Sequence, residues 1–215
     1  MSIEEEWIKL EHEVLNCRKC RLHEARRKPV PGEGNKTSTV IFIGEAPGEK
    51  EDESGRPFVG PAGKLLTELI ESIGYKRENF YITNIVKCRP PNNRDPLDDE
   101  IESCLPYLVR QLQLMKPKII IALGRHAGRV LFDLAGLKWI SMSANHGKVY
   151  RAKLADLDIK IIPTYHPASA LYNPSLRKNL EDDFRNVIKK AIDEELRHVE
   201  NKKQSRTLFD FLRKS

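Results

Sequence analysis

The stretch Val40–Leu66, VIFIGEAPGEKEDESGRPFVGPAGKLL, changes character at Gly44. The residues before Gly44 are apolar and mostly β-branched or aromatic, which is typical of a buried strand. After it come GEAPG, a run of acidic residues and then PAGKLL, whose leading proline suits the first turn of a helix. The stretch therefore predicts a strand that is joined to a helix by a glycine-rich, acidic loop.

The same alternation of strand and helix continues along the chain. The predicted strands are residues 38–44, 79–88, 117–124 and 159–167, and the predicted helices are residues 4–16, 61–75, 96–115, 125–136 and 175–197. Pro106 predicts a break or a late start in the helix over 96–115. Continuously apolar strands such as PKIIIALG (117–124) are typical of parallel sheets. The pattern therefore predicts an α/β fold, a three-layer αβα sandwich around a four-stranded, mainly parallel sheet.

Composition indicates a globular protein of one main domain. The chain has 215 residues, of which 40% are hydrophobic and 32% charged. No apolar run approaches the roughly 20 residues that span a bilayer, and the acidic N-terminus lacks the features of a secretory signal. We therefore expect a cytoplasmic protein that does not attach to membranes. The net charge of +6 is compatible with a nucleic-acid partner, although many other basic proteins share it.

The four cysteines favour a metal site. Cys17 and Cys20 form a C-x2-C pair among polar and basic residues, and Cys88 and Cys104 are the only others. Disulfides are not expected in a reducing cytosol, and four independent buried thiols would not explain the polar setting of the pair. Zinc sites usually use two tight pairs, whereas the wide second spacing and Pro90 favour a [4Fe–4S] cluster. The spacing leaves both metals open.

Polar residues follow three of the predicted strands, at residues 44–58, 84–93 and 166–173. Ligands of parallel sheets bind at this edge, so we expect the three segments to form one site. GEAPG matches neither common phosphate-loop pattern, and the acids after it would repel a nucleotide. Asn84 can read the edge of a base or cap a turn. His166, which precedes Pro167, can be a ligand-binding or a structural histidine.

Three motifs together carry a resemblance to a known family. They are GEAPGEKEDESGRPFVGPAG (44–63), YITNIVKCRPPNNRDP (81–96) leading to Cys104, and HPA (166–168). With the four cysteines, they resemble the family 4 uracil-DNA glycosylases, iron–sulfur enzymes of archaea and bacteria, over almost the whole chain to about residue 195. The resemblance implies an enzyme that flips uracil out of DNA and hydrolyses its N-glycosidic bond, leaving an abasic site without cutting the strand. The alternatives are a non-catalytic uracil-DNA-binding iron–sulfur protein and a nucleotide-binding transferase.

The resemblance also implies roles for individual residues. It assigns a structural [4Fe–4S] cluster to Cys17, Cys20, Cys88 and Cys104. It assigns the uracil pocket to Glu45, Ala46, Pro47, Phe58, Asn84 and His166, with Phe58 stacking on the base, Asn84 pairing with its edge and His166 facing O2. It assigns catalysis to Glu45, His166 and Asn93, with Asn93 helping to hold the attacking water. Relatives with a GQDP loop have an aspartate where this chain has Ala46, which cannot ionise.

The segment after His166 predicts contacts with DNA. We expect Leu171 or Tyr172 to wedge into the gap that a flipped nucleotide leaves, and Arg177 and Lys178 to meet phosphates. The alternative is an ordinary loop with surface charges. Two acids of the first loop, Glu49 and Asp52, are expected to be solvated near the rim. The substrate would be uracil-containing DNA, double- or single-stranded.

The C-terminus predicts a further partner. We expect one domain over residues 1–196 and a basic tail over 197–215, in which RTLFDFL (206–212) resembles the short motif that binds sliding clamps. Leu208, Phe211 and Leu212 would form its apolar plug, although Gln204 stands one place early for that motif. The alternative is the frayed end of the last helix.

Overall fold

One mixed sheet forms the centre of the computed structural model, which describes residues 2–199. Its strands are β1 (Glu33–Gly34), β2 (Val40–Gly44), β3 (Tyr81–Asn84), β4 (Ile119–Leu123), β5 (Tyr150–Leu154) and β6 (Leu157–Thr164). They lie in the order β1-β3-β2-β4-β6-β5. Strands β3, β2, β4 and β6 are parallel, and the two outer strands pair antiparallel.

The four predicted strands are therefore confirmed, but the predicted number of strands was too low. The two additional strands lie at the edges of the sheet. Strand β1 has only two residues, and β5 (YRAKL) exposes part of almost every side chain. Neither has the continuous apolar run from which the central strands were predicted.

The helices cover both faces of the sheet. They are α1 (Ile3–Leu15), α2 (Leu22–Ala25), α3 (Glu49–Ser54), α4 (Pro61–Ser72), α5 (Asp98–Met115), α6 (Arg125–Leu134), α7 (Met142–Asn145), α8 (Pro167–Ala170) and α9 (Pro174–Asp183). Helix α9 continues through a π-helical turn, Phe184–Ile188, and on through residues 189–199. None of the helices in this described part of the chain is long and apolar enough to cross a bilayer.

The predicted break at Pro106 is wrong, because α5 runs through it without interruption. Cys104, Tyr107 and Leu108 on either side of the proline are buried in the core. A proline inside a helix removes one backbone hydrogen bond and costs about 3 kcal/mol. Burial of the flanking side chains, at roughly 1.5–3 kcal/mol for each large apolar group, offsets that cost.

Strand β2 shows how the sheet separates two cores. Its five residues are all buried, with Ile41 and Ile43 packed in one apolar cluster and Val40 and Phe42 in the other. The first cluster includes buried residues of α1, α5 and α6, and the second includes those of α4 and α9. Since side chains alternate across a strand, this division confirms the three-layer α/β/α fold.

The parallel strands bring the predicted site segments to one edge of the sheet. Gly44 at the end of β2 lies beside Asn84 at the end of β3. Leu123 of β4 lies beside Thr164 of β6, and His166 follows two residues later. The carboxyl ends of these strands therefore open into a shared space.

Candidate active site and metal centre

A cavity of about 360 Å³ occupies this edge of the sheet. Seven of its lining residues are those predicted for base binding and catalysis: Glu45, Ala46, Pro47, Phe58, Asn84, Asn93 and His166. The other lining residues are Gly48, Glu51, Ala62, Pro90, Arg94, Asp95 and Ala168. The structure thus brings the three loops together around one cavity of a size typical for small ligands.

Phe58 and Asn84 meet at the end of β2, where the chain leaves no room for a side chain. A Cβ atom on Gly44 would lie 2.5 Å from Phe58 Cζ and 2.4 Å from Asn84 Oδ1. Phe58 is 6% exposed and has a left-handed φ of 51°. A bulky residue adopts such a backbone only when its surroundings enforce it.

Glu51, which the sequence analysis missed, enforces that conformation. Its Oε1 accepts hydrogen bonds from the backbone N–H groups of Val59 (2.8 Å) and Gly60 (2.9 Å). The same side chain lines the cavity. In the run EKEDE no local pattern separates this acid from Glu49 or Glu53, so only the folded structure reveals its contacts.

The prediction that Asp52 is a solvated acid is wrong. Asp52 is 2% exposed, and its Oδ1 accepts from the N–H groups of Arg27 (2.9 Å) and Lys28 (3.4 Å). Helix α3 turns this side chain inward, where it satisfies backbone donors of the segment before β1. Glu49 does face solvent, with its nearest cationic partner, Arg89, at 3.8 Å.

Asn84 carries an unsatisfied acceptor. The residue is 1% exposed, and within residues 2–199 its Oδ1 is one of two buried side-chain atoms without a hydrogen-bond partner. An unpaired buried polar group costs about 1–3 kcal/mol. Because this residue lines the cavity, a donor on a bound ligand would remove that cost.

His166 presents a neutral ring to the same cavity. Its Nδ1 accepts from the Ala168 N–H at 3.1 Å, which leaves Nε2 as the protonated nitrogen. The side chain is half-buried, and burial lowers the pKa of His166 to about 4, although the nearby Glu51 carboxylate opposes the shift. The ring centroid lies 5.6 Å from that of Phe58. His166 therefore offers a neutral N–H donor at neutral pH.

Glu45 and Asn93 lie on the other side of the cavity. Glu45 is half-buried, and this burial raises the pKa of its carboxyl group, while His126 opposes the shift. Asn93 has a left-handed φ of 53°, and its Oδ1 accepts from Arg89 Nε at 2.8 Å. The contact with Arg89 fixes the side-chain oxygen, so the amide N–H groups of Asn93 are the ones left to a ligand.

The four cysteines line one pocket, together with Val86 and Lys87 of the segment that follows Asn84. Cys17 and Cys20 follow α1, Cys88 follows β3, and Cys104 lies in α5. Two sulfurs already receive N–H donors: Arg26 Nη1 lies 2.9 Å from Cys88 Sγ, and the Lys87 N–H lies 3.2 Å from Cys104 Sγ. Burial raises the pKa of Cys104 to about 11 and also raises that of Cys88. A bound cation would lower these thiol pKa values, because it stabilises the thiolate form.

Lys87 connects the cysteine pocket with the base cavity. It is 1% exposed. Its ammonium group donates hydrogen bonds of 2.7 Å to Thr83 Oγ1, to the Asn84 carbonyl and to Gln111 Oε1. The lysine thus ties the end of β3 to α5, the helix that carries Cys104.

The residues predicted to contact DNA differ in exposure. Tyr172 is 92% exposed, whereas Leu171 packs partly against the second apolar cluster. Arg177 pairs with Glu181 at 3.0 Å and with Glu68 at 3.7 Å, and Lys178 is exposed. Of the two side chains predicted to enter the gap left by a flipped nucleotide, only Tyr172 therefore lies outside the apolar core. The clamp-motif residues Leu208, Phe211 and Leu212 lie outside the described residues.

The fold agrees with the comparison to known families. Residues 31–192 match the model of the Uracil DNA glycosylase superfamily, so the chain belongs to that superfamily. It is 52% identical to the type-4 uracil-DNA glycosylase of Sulfurisphaera tokodaii, over 86% of this chain and 84% of that protein. It is 56% identical to the type-4 enzyme of Saccharolobus solfataricus, over 81% and 82% of the two chains, and 48% identical to that of Archaeoglobus fulgidus, over 93% and 96%. Within the superfamily, the chain belongs to the type-4 uracil-DNA glycosylases, which confirms the resemblance seen in its motifs.

Proposed function

We propose that this protein is a DNA-repair glycosylase that flips uracil out of DNA and hydrolyses its N-glycosidic bond, leaving an abasic site for base excision repair. Its family membership supports this activity. The geometric observation that supports it best is the unpaired, buried Oδ1 of Asn84 in a cavity that Phe58 and His166 also line. These residues offer an amide, an aromatic face and a neutral donor to one flat ligand.

The amide of Asn84 selects uracil by its pattern of donors and acceptors. Its Oδ1 accepts from uracil N3–H, and its Nδ2 donates to uracil O4. Cytosine presents the reversed pattern and would leave buried polar groups unpaired, which typically costs a factor of about 10⁴ or more in discrimination. The Phe58 ring supplies the stacking face.

His166 and Glu45 stabilise the two charges that develop as the bond breaks. Uracil departs with negative charge on O2, and the Nε2–H of His166 donates to that atom. A preorganised donor of this kind is typically worth about 3–4 kcal/mol. The sugar becomes oxocarbenium-like and positive, and the Glu45 carboxylate stabilises it. This chemistry explains an acidic loop in a basic DNA-binding protein.

The flipped nucleotide leaves a gap that a side chain can fill. Extruding a base costs a few kcal/mol, and less at a mismatch. Tyr172 is the exposed residue beside the His166 loop and is assigned to the gap, with Leu171 supporting it from the core. Lys178 and Arg177 are assigned to the flanking phosphates.

The structure also supports hydrolysis of the N-glycosidic bond without cleavage of the DNA strand. Strand cleavage by a glycosylase uses an amine that forms a Schiff base with the sugar. Among the described residues, no lysine lines the base cavity. Lys87, the lysine nearest to Asn84 in sequence, is buried with all three of its donors in use. The product should therefore be an intact strand with an abasic site.

A structural [4Fe–4S] cluster held by Cys17, Cys20, Cys88 and Cys104 is part of this proposal. In the described part of the chain, no three of the sulfurs lie within 4.8 Å of one another. The sulfurs of a tetrahedral four-cysteine zinc site are only about 3.8 Å apart, so these sulfurs are spaced more widely than in such a site. The N–H donors to sulfur are also typical of cluster sites. The cluster would supply a cross-link between α1, β3 and α5.

The activity is tested on an oligonucleotide that contains one uracil. Incubation with iron-loaded protein followed by alkali should cut the strand at the uracil, while samples without alkali should remain intact. Intact strands after alkali would support the non-catalytic alternative. Iron and sulfide analysis of the same sample tests the cluster, and a colourless zinc protein would contradict it.

The C-terminal tail and the location of the protein stay predictions from sequence. We propose that residues 197–215 form a tail outside the glycosylase domain of residues 1–196 and bind a sliding clamp through RTLFDFL. The protein would act inside the cell, where its DNA substrate lies. Truncation after residue 200 should abolish clamp binding and leave the activity on short DNA unchanged; a truncated protein that still binds the clamp would contradict this assignment.

A further inference from the structure

A group of three ionisable side chains lies at the mouth of the base cavity. A carboxylate oxygen of Glu45, one of Asp95 and a ring nitrogen of His126 all lie within 4.8 Å of one another. Glu45 and Asp95 line the cavity, and His126 is the second residue of α6. Neither Asp95 nor His126 belongs to the base-reading set described above.

The spacing of the two carboxylates fits one bridging water molecule. Their oxygens lie within 4.8 Å of each other, which is less than twice the usual O–H···O length of about 2.8 Å, so one water can donate to both. A water molecule has two hydrogens to donate. When Glu45 and Asp95 accept both, the lone pairs of the water are directed away from them.

The group is next to the place where the sugar of a bound nucleotide must lie. Phe58 and Asn84 pack closely against Gly44. Glu45 is the next residue in the chain, so its Cα atom lies about 3.8 Å from that of Gly44. On the other side, Gly124 precedes α6, and a Cβ atom there would lie 2.9 Å from His166 Cβ. Glu45 and His126 therefore each follow closely after a glycine that packs against residues assigned to base binding.

Asp95 is held in place by Arg125, whose Nη2 donates to it and whose Nε donates to His126 Nε2 at 3.0 Å. Arg125 Nη2 lies 2.9 Å from Asp95 Oδ2, and His126 Nε2 lies 3.0 Å from the same oxygen. These contacts use one oxygen of Asp95 and leave its other oxygen for water. Arg125 also balances the charge of Asp95, so that two carboxylates can lie close together.

We propose that Asp95 joins Glu45 and Asn93 in the site of the hydrolytic water, and that His126 acts as the positioning residue of Asp95. This inference rests on the proposed glycosylase activity. The water oxygen forms a bond to C1′ of the sugar, and the N1–C1′ bond breaks with its electron pair leaving on uracil. One O–H bond of the water breaks, and its proton passes to the Glu45 carboxylate.

The two residues affect Glu45 in opposite directions, which gives the test its specificity. The titratable and charged groups that face Glu45 are His126, Asp95 and Arg125; Asp95 raises the pKa of Glu45, and His126 and Arg125 lower it. Asp95→Asn should therefore move the acid limb of the rate profile to lower pH, and His126→Asn should move it to higher pH. Shifts of opposite sign would show that both residues act on the charge of Glu45, and the loss of plateau rate in Asp95→Asn then tests the water site itself.

The experiment measures single-turnover base release against pH, together with DNA affinity, for the iron-loaded full chain. We expect Asp95→Asn to lower the plateau rate about tenfold or more with a nearly unchanged dissociation constant, and His126→Asn to lower it less. Asp98→Asn is the matched control, because Asp98 is 88% exposed and pairs with Arg129 at 3.6 Å. It should behave as the unchanged protein.

Three results would overturn the inference. The first is a wild-type rate and pH profile in Asp95→Asn, and the second is a loss of rate that follows a loss of DNA affinity. The third is a wild-type rate that EDTA abolishes and Mn²⁺ restores, since the three groups would then bind a cation instead of a bare water. A wild-type protein that releases no uracil would overturn the proposed function itself, and the inference with it.

Discussion

The base cavity and the cysteine pocket are both lined by residues of the segment 84–90, but their polar groups differ in how they are hydrogen-bonded. In the base cavity, the Oδ1 of Asn84 is buried and unpaired, and the Nε2–H of His166 has no partner among the residues described. In the cysteine pocket, backbone and guanidinium N–H groups already contact the sulfurs. The cavity thus retains hydrogen-bonding capacity for a substrate, whereas the pocket is arranged to hold the protein together. Substitutions in the first should cost rate, and substitutions in the second should cost stability.

The largest effect on rate is expected for His166→Ala. Loss of a donor to the departing O2 should slow base release about 10²–10³-fold, with little change in DNA affinity or in the melting temperature. Single-turnover kinetics and a binding titration measure this. His12→Ala, an exposed histidine on α1, is the control. Unchanged turnover would remove His166 from the catalytic residues.

Cys104→Ser should have the opposite profile. Because metal binding contributes directly to folding free energy, the variant should lose iron and several kcal/mol of stability, seen as a large drop in melting temperature. Glu102→Gln, on the same helix but exposed and outside the cysteine pocket, should keep both iron and stability. A Cys104→Ser protein that retains full iron content and wild-type melting would contradict the shared four-cysteine site.

The pH dependence of base release separates Glu45 from His166. Glu45 acts as a carboxylate, and burial raises its pKa above the usual 4.5, so the rate should fall as pH drops through this raised value. His166 protonates only near pH 4 and should add no limb at neutral pH. Glu45→Gln should lower the plateau and remove the limb. A limb that persists in Glu45→Gln would assign it to another group.

The smallest effect is expected at the DNA-facing loop. Tyr172→Ala should slow base release from duplex DNA about tenfold or less, affect single strands weakly and leave stability unchanged, because the side chain is 92% exposed. Leu171→Ala should instead lower stability by about 1 kcal/mol. Comparing both variants on duplex and single-stranded uracil DNA tests this division. Equal effects of Tyr172→Ala on both substrates would argue against the wedge.

The sequence was sufficient for the features that depend on local pattern. Apolar runs located the four central strands, and the topology of a parallel sheet then placed Asn84 and His166 at one edge. Contacts between distant segments could not be predicted in the same way. The buried Asp52 satisfies N–H groups of residues 27–28, and Glu51 holds the strained backbone at Phe58. Both depend on how α3 is turned, which the acidic run EKEDE does not encode locally.

Gly44 carries a consequence for natural variation in this protein. A single methyl group at this position would collide with both the amide and the ring that receive the base. Such an allele should fold, take up its metal and still bind the double helix, because the collision is confined to the floor of the cavity. It would then bind DNA without holding an extruded uracil, so the lesion would stay in the strand.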